Sequence, residues 1–178
     1  MQKFLRHAIS PICLGLLFAV CCRGEDRTSA EYQKQQEKLS RETSPIGRTK
    51  VLIKMSDLDM NEAGHWVKKG NLLEADRFLN RYTEVIKQTS QVLKGSNRNA
   101  QKNPVGFKDF EIALRRQLRK LADLKPNYSF DQQEAINQAI TTAESAKEQM
   151  IQAIFGTENA GRGKDRSERT EKSKEETR

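Results

Sequence analysis

Apolar residues recur at every third or fourth position in four stretches of the chain between residues 49 and 155. This spacing matches the turn of an α-helix and places the apolar side chains along one face. The four stripes run over Val51–Trp66, Leu72–Leu93, Phe107–Leu121 and Ile136–Ile154. Over no useful length do apolar and polar residues alternate with the period of two that marks a half-buried strand. The pattern therefore predicts an all-α fold.

Helix-ending residues separate the four stripes. Glycines at positions 70, 95 and 156 follow the first, second and fourth stripes, and glycine is favoured just after a helix end. The third stripe stops before Pro126, because the residue preceding a proline disfavours helical geometry. Ser129 or Asp131 can serve as the N-cap of the fourth helix. We therefore predict a helical domain over residues 49–155, built from two antiparallel helical hairpins that form a four-helix bundle-like core.

A basic and then apolar segment opens the chain. Lys3 and Arg6 precede the apolar run Pro11–Cys22, and a polar stretch follows it directly. This order is typical of a secretory signal peptide, which we place at residues 1–24. The run is too short to cross a bilayer as a helix, since a spanning helix needs about 20 apolar residues. We therefore expect a protein that is secreted or periplasmic.

All of the cysteines fall within this predicted leader. They are Cys13, Cys21 and Cys22, so cleavage would leave a chain nearly or wholly free of thiols. Disulfide-stabilised folding, zinc–thiolate sites and cysteine nucleophiles are then excluded together. A lipid anchor at Cys21 or Cys22 is the alternative, but the residues before each cysteine fit a lipoprotein signal poorly. Export without an anchor is the preferred interpretation.

The segments that flank the helical domain are polar. Residues 25–48 contain few large apolar side chains and a Ser-Pro-Ile-Gly breaker, which indicates a linker or a marginal surface helix. Residues 156–178 hold no large apolar side chain, and basic and acidic residues mix along them. Such a composition predicts a disordered charged tail.

Composition limits the domain count and the class of protein. The chain has 178 residues, of which 35% are hydrophobic and 31% charged, and its formal net charge is +8 at pH 7. That length allows one domain of modest size. The low apolar fraction excludes a polytopic membrane protein.

Few residues can support catalysis or metal binding. Glu62 and His65 have the Glu-x-x-His spacing of di-iron helical bundles, but such a site needs a second copy of the motif. The chain has 2 histidines, and one of them, His7, lies in the predicted leader. Neither a glycine-rich phosphate loop nor a Gly-x-Ser-x-Gly motif occurs. We predict no catalytic, cofactor or metal site and expect that the protein is not an enzyme.

A basic run on the third helix is the candidate interaction site. Its residues are Arg115, Arg116, Arg119, Lys120 and Lys125. Positive charges four residues apart on a helix repel each other unless something offsets them. Acidic residues of a neighbouring helix could do so, which would make the run a solvated surface. The alternative is an anionic partner such as lipid headgroups or cell-wall polymer. Nucleic acid is disfavoured, because no aromatic residues interleave the basic ones.

One stretch resembles the helix–turn–helix of a tetratricopeptide repeat. It covers Ala63–Tyr82, in which Gly70 would end the first helix, Ala75 would allow close packing, and Phe78 and Tyr82 would supply the later aromatics. It does not recur with a 34-residue period, so no repeat array is predicted. More broadly, residues 49–155 are similar to small exported bacterial helical proteins of uncharacterised function. That resemblance implies a fold class and a compartment, and no activity.

These features predict a non-enzymatic interaction or structural module of the cell envelope. Its partner would be an unidentified protein or an anionic envelope component, which the basic run of the third helix would contact. The alternative function is a small-ligand binding protein or an enzyme. Its pocket would then open between the two hairpins, near Trp66 and Tyr82.

Overall fold

The computed structural model of the protein describes residues 25–156, and the side chains from residue 28 onward. Five α-helices cover most of this range: α1 Glu25–Arg41, α2 Pro45–Lys68, α3 Leu72–Lys94, α4 Phe107–Leu124 and α5 Glu134–Phe155. Two short 3₁₀ helices, Lys125–Asn127 and Phe130–Gln132, connect α4 to α5. The prediction of an all-α fold is confirmed for this part of the chain. The predicted signal peptide at residues 1–24 and all of the predicted tail beyond Gly156 lie outside the described residues.

The starts of α2 and α3 follow from their capping residues. Ser44 precedes Pro45 at the start of α2, and its hydroxyl accepts a hydrogen bond of 3.4 Å from the amide of Gly47. At the start of α3, the Asn71 side chain accepts a hydrogen bond of 3.2 Å from the amide of Glu74. Each side chain satisfies an amide that has no partner within the helix. The Ser44 cap lies in the turn between α1 and α2, and the Asn71 cap lies in the turn between α2 and α3.

The predicted cap of α5 is wrong. Ser129 precedes the short 3₁₀ helix Phe130–Gln132 rather than α5, and its hydroxyl donates to Asp131 at 2.7 Å. α5 begins after Gln133, without a side-chain cap. The two polar residues bond to each other, so neither is available to the first amides of α5.

Residues 25–41 form a regular helix, which is one of the two alternatives predicted for residues 25–48. The predicted breaker is wrong, because Ser44 caps α2 and Pro45 begins it, four residues before the predicted start of the helical domain. Leu39 of α1 is buried against Val51, Leu52 and Met55 of α2 and Val85 of α3, and Tyr32 of α1 packs against the same cluster. Most of the stability of a short polar helix comes from such packing rather than from intrinsic propensity. Burial of these two side chains is the physical reason that α1 persists.

The other four helices contact each other in a closed circuit. α2 packs on α3, α3 on α5, α5 on α4, and α4 on α2, whereas α1 packs chiefly on α2. The direction of α4 along α2 is given by two hydrogen-bonded pairs, Arg116 with Asp57 and Lys120 with Asn61. Both partners advance by four residues, so α2 and α4 run in the same direction.

The interior of this circuit is apolar and closely packed. Its largest fully buried side chains include Leu79, Ile86, Leu93, Phe110, Leu114, Leu121, Ile136 and Met150. Ala75, Ala139 and Ala143 are also fully buried, and their small side chains let the helices approach closely. Full burial of a Leu, Ile, Phe or Met side chain contributes about 1.5–3 kcal/mol. Within residues 25–156, no helix is long and apolar enough to cross a membrane.

Candidate functional site

The predicted basic patch lies on α4 and on the first residue after it. Its members are Arg115, Arg116, Arg119, Lys120 and Lys125. Two of them form ion pairs. Arg115 bonds to Glu111 of its own helix at 2.7 Å, and Arg116 bonds to Asp57 of α2 at 2.6 Å. Acidic neighbours therefore offset a substantial part of the charge that makes the run conspicuous in the sequence.

The remaining three cations differ in their surroundings. The Lys120 ammonium donates to the neutral side chain of Asn61 at 3.1 Å. Arg119 is exposed and has no ion pair or hydrogen bond within the described residues, and Lys125 is half-buried at the start of a 3₁₀ helix. The patch on α4 thus presents fewer unpaired charges than its composition suggests.

Beneath this patch, a buried polar network joins three helices. The side chain of Gln117 is completely buried; its amide donates to Ser56 at 2.8 Å and to Asp57 at 2.9 Å. The hydroxyl of Tyr82 bonds to the amide oxygen of Gln117 at 3.3 Å. Burial raises the pKa of the Tyr82 hydroxyl, and the negative charge of Asp57 raises it further. Tyr82 is therefore a neutral structural residue.

A second basic surface, which the sequence did not reveal, lies at one end of the helices. We call it the loop-end surface, and it consists of Lys50, Lys94, Arg98, Lys102 and Lys108. The chain segments that carry these residues meet at Gly106, which lies next to Ile46 of α2 and Leu93 of α3. A side chain at position 106 would collide with Ile46. Gly106 adopts φ +87°, a conformation that favours glycine.

The cations of the loop-end surface are unpaired. All five side chains are exposed, and none makes an ion pair or a side-chain hydrogen bond to another residue of the described range. Asp109 is the exposed acid nearest to them in α4, while the carboxylate of Glu42 accepts a hydrogen bond of 3.0 Å from the Ser44 amide. Among the residues that the structure describes, positive charge therefore dominates this end of the helices.

Basic runs in the sequence do not single out the loop-end surface. Four of its five residues lie at intervals of four to six along residues 94–108, and Lys50 stands apart from them in α2. A search for basic runs finds α4 because its cations are nearly consecutive. Only the tertiary structure places the start of α2, near Lys50, beside the segment that carries the other four.

A groove of about 680 Å³ lies between α1 and the α2–α3 hairpin. We call it the α1 groove. Its lining consists of Thr28, Ser29, Tyr32, Gln33 and Gln36 of α1, Glu62 and Trp66 of α2, and Asn71, Glu74, Arg77, Phe78 and Arg81 from the start of α3 and its cap. A volume of this size suits a small ligand, for which pockets of about 300–1,000 Å³ are usual.

The α1 groove is not the pocket that the sequence predicted between the two hairpins. Trp66 lines it, but Tyr82 is completely buried in the core and does not. The groove is bounded by α1, which lies outside the helical domain predicted at residues 49–155. The predicted position of the pocket is therefore wrong in two respects: Tyr82 does not line it, and α1 forms one of its walls.

A buried ion pair lies next to this groove, which Arg81 lines. Asp59 of α2 is completely buried, and its Oδ1 accepts a hydrogen bond of 2.6 Å from Nε of Arg81. The Arg81 guanidinium also lies over two rings, 3.9 Å from the centroid of Tyr32 and 4.9 Å from that of Phe78. Such cation–π contacts are each worth about 0.5–1 kcal/mol or more. Arg81 thus connects α1, α2 and α3.

Burial dominates the protonation of Asp59. It raises the pKa of this carboxyl from 3.8 to about 6, although the hydrogen bond and charge of Arg81 act in the opposite direction. The nearby charge of Glu62 raises the pKa slightly further. The second oxygen, Oδ2, is buried and has no hydrogen-bond partner within the described residues. The charged form of Asp59 is therefore costly even in its ion pair.

The other charges of the groove leave one acid unpaired. Arg77 bonds to both oxygens of Glu74, at 2.8 and 3.1 Å, so these two residues neutralise each other. Arg81 is neutralised by Asp59 behind it. Glu62 has no ion pair or hydrogen bond from its side chain within the described residues. The local charge of the α1 groove is therefore negative.

The Trp66 side chain combines a stacked ring with an unpartnered donor. The Lys69 ammonium lies 4.5 Å from the ring centroid, and the His65 ring packs edge-on with centroids 5.7 Å apart. The indole Nε1 is buried and donates to no acceptor among residues 28–156. A buried N–H without a partner is unfavourable, and most such groups in folded proteins are satisfied.

A smaller acidic hollow lies between the α4–α5 connection and α3. Asp76, Asp131 and Glu134 contribute to its lining, and its volume is about 430 Å³. Burial raises the pKa of Asp76, and the Tyr128 hydroxyl beside it has a raised pKa from burial and from the Asp76 charge. Hydrogen bonding from Ser129 lowers the pKa of the exposed Asp131. Within residues 25–156, no group of three or more His, Cys, Asp and Glu side chains could hold a metal ion.

The comparisons with known proteins return no relative. No family model matches the chain, and neither a curated protein nor a solved structure is significantly similar to it.

Proposed function

We propose that this protein is an exported, non-enzymatic helical module of the cell envelope that contacts an anionic component of that envelope. The observation that carries the proposal is the loop-end surface, where five exposed cations have no acidic partner among the described residues. Like charges held together cost free energy unless an oppositely charged partner offsets them. An anionic surface is the partner that offsets this arrangement best.

The scaffold in this proposal is a four-helix bundle-like core made of two hairpins, with α1 added against α2. The closed circuit of contacts among α2, α3, α4 and α5 supports this description. The polar network around Gln117 supports it further, because that buried side chain bonds to residues of α2 and α3 and so ties the hairpins together. A rigid core of this kind suits a module that presents a surface.

Export rests on the order of residues in the leader. The basic residues, the apolar run Pro11–Cys22 and the polar stretch after it are typical of a signal peptide. In our proposal the leader is removed and no lipid is attached at Cys21 or Cys22. An unidentified protein of the envelope is the alternative partner.

Lipid headgroups or an anionic cell-wall polymer suit the loop-end surface better than nucleic acid does. Four of its five cations are lysines, which act as point charges, and the aromatic residues beside Lys108, Phe107 and Phe110, are buried and cannot stack on bases. Val105 in the same connection is 49% exposed and can contact an acyl–headgroup boundary. Attraction to an anionic bilayer is worth about 1 kcal/mol per basic residue near its surface.

Co-sedimentation with vesicles that contain about one third phosphatidylglycerol tests the proposal. The chain without residues 1–24 should bind at low salt and be released as salt increases, since screening weakens the attraction. A triple variant of the loop-end surface, Lys94→Gln, Arg98→Gln and Lys102→Gln, should lose most of this binding.

The matched control is the α4 triple variant Arg115→Gln, Arg116→Gln and Arg119→Gln, which removes the same charge from the patch that the sequence favoured. It should retain most of the binding, because Arg115 and Arg116 are already ion-paired. Absence of wild-type binding at low salt would refute the anionic contact. If the α4 triple variant lost binding and the loop-end variant kept it, the contact would be assigned to α4.

A ligand-binding function is the second candidate, and the α1 groove favours it. The groove has the volume for a small ligand and presents three aromatic side chains, Tyr32, Trp66 and Phe78.

A further inference from the structure

We propose that the α1 groove binds a saccharide, with Trp66 and Phe78 against the sugar ring and Glu62 accepting hydrogen bonds from its hydroxyl groups. This inference does not depend on the loop-end surface, which lies at the opposite end of the α2–α3 hairpin. It assigns the groove a ligand class that follows from its side chains.

The lining of the groove is aromatic and polar at once. Trp66 and Phe78 supply flat apolar surface, while hydroxyl and amide side chains, among them Thr28, Ser29 and Gln33, stand opposite on α1. No aliphatic side chain lines the groove. An acyl chain or another wholly apolar ligand would therefore leave the polar groups without partners, at a cost of about 1–3 kcal/mol for each buried one.

The charges of the groove disfavour anionic ligands. Its two cations, Arg77 and Arg81, are committed to Glu74 and Asp59. Glu62 remains unpaired within the described part of the chain and gives the groove a negative local charge. A phosphate or carboxylate ligand would be repelled, whereas neutral hydroxyl groups can donate to Glu62.

One acid of the groove has a hydrogen-bonding capacity that a sugar can use. The Glu62 carboxylate lines the groove and accepts no hydrogen bond from another described side chain. A hydroxyl group both donates and accepts. Adjacent hydroxyl groups of one ring can therefore donate to Glu62, while the apolar face of the ring covers the neighbouring aromatic surface.

The shape of the groove agrees with a ligand of one to three sugar rings. Its volume of about 680 Å³ exceeds that of one ring, and it is partly open to solvent. The wall that α1 contributes is held to the hairpin through Tyr32 and Leu39, while the first turns of α1 carry only polar or small residues. An open, polar-walled groove admits a chain of sugars from the side.

Fluorescence titration tests the inference directly, because Trp66 is the single tryptophan of the sequence. Chitotriose, tri-N-acetylchitotriose, cellotriose and maltotriose would each be titrated to about 20 mM into the chain that begins at residue 25. We expect a saturable change of Trp66 emission with at least one of them. Saturation-transfer NMR on the sugar protons provides an independent measure of the same binding.

Glu62→Gln is the diagnostic variant. It preserves the size of a half-buried side chain and removes a charge-assisted hydrogen bond, so it should weaken binding about tenfold or more. Glu148→Gln, an exposed acid of α5 outside the groove, is the matched control and should bind as the wild type does. Circular dichroism would show that both variants are folded.

Three outcomes would overturn the proposal. The first is the absence of a saturable signal by both methods with all four sugars. The second is equal binding by Glu62→Gln and the wild type. The third is tighter binding of an apolar peptide than of any sugar, which would make the groove a peptide site. Vesicle binding by the loop-end surface is measured separately, so failure of one proposal leaves the other intact.

Discussion

Arg81 of α3 bonds through Nε to Oδ1 of Asp59 of α2 at 2.6 Å, and the Asp59 side chain is completely buried whereas that of Arg81 is 40% exposed. The pair therefore has one partner in the interior and one at its edge. The exposed partner also stacks on Tyr32 of α1. Three helices thus depend on the charge state of a single buried carboxyl.

Removal of Arg81 should destabilise the fold at neutral pH. Arg81→Ala leaves the Asp59 carboxylate buried without its cation, and we expect a loss of about 2 kcal/mol in the free energy of unfolding, because partial exposure of the pair limits the effect. Below pH 5 the loss should shrink, since protonated Asp59 needs no cation. Urea denaturation at pH 7 and pH 4.5 measures both values. Arg77→Ala, in the exposed pair with Glu74, is the control and should change stability by less than about 0.5 kcal/mol. Equal losses for Arg81→Ala and Arg77→Ala would contradict a special role of the buried pair.

The stability of the protein should depend on pH through Asp59. Its folded-state pKa is raised from 3.8 to about 6, so the folded state binds the proton more tightly than the unfolded state. The favourable contribution is present in full below about pH 4 and is lost as the pH rises through 6. A shift of this size corresponds to about 3 kcal/mol.

Asp59→Asn tests this dependence, because it removes the titrating group. Its free energy of unfolding should vary less between pH 4 and pH 7 than that of the wild type. Asp131→Asn is the control: the pKa of that exposed carboxyl is lowered from 3.8, so its titration lies below this window. The role of Asp59 would be refuted if the wild type gained stability from pH 4 to pH 7 and Asp59→Asn gained the same amount.

Gln117→Leu should disrupt the contact between the hairpins. The variant removes three hydrogen bonds and leaves the buried Tyr82 hydroxyl without a partner, whereas Ser56 keeps its bond to the Ile53 carbonyl; we expect a cost of about 2–3 kcal/mol. The double variant with Tyr82→Phe should recover part of this loss, since the orphaned hydroxyl is then absent. Gln138→Leu on the exposed face of α5 is the control and should be nearly neutral. Additive effects of the two substitutions would contradict the network.

Gly64→Ala should stabilise the protein by about 0.5–1 kcal/mol, because glycine is unfavourable inside a helix. There is room for the added methyl group: it would lie 3.8 Å from Cδ2 of Leu124, an ordinary van der Waals contact. Gly70→Ala is the opposite case, because φ there is +73° and a side chain would be strained. We expect it to lose about 1 kcal/mol. Thermal unfolding of both variants measures the difference in sign.

The sequence determined the helices because their signals are local. Apolar residues at helical spacing marked α2 to α5, and Gly70 and Gly156 ended two of them in left-handed geometry, as their positions after the stripes predicted. The prediction of the N-cap of α5 was wrong for a local reason as well, since Ser129 bonds to Asp131 instead of to the helix.

The tertiary structure decided everything that depends on residues distant in sequence. α1 is ordered because Tyr32 and Leu39 pack against apolar residues of α2 and α3. The charge of Arg116 is offset because α4 lies beside Asp57 of α2. Lys50 joins the other cations of the loop-end surface because the start of α2 lies beside Gly106 and the end of α3. The α1 groove exists because α1 folds back along the hairpin. Periodicity describes one helix at a time, whereas burial, ion pairing and concave surface arise only where helices meet.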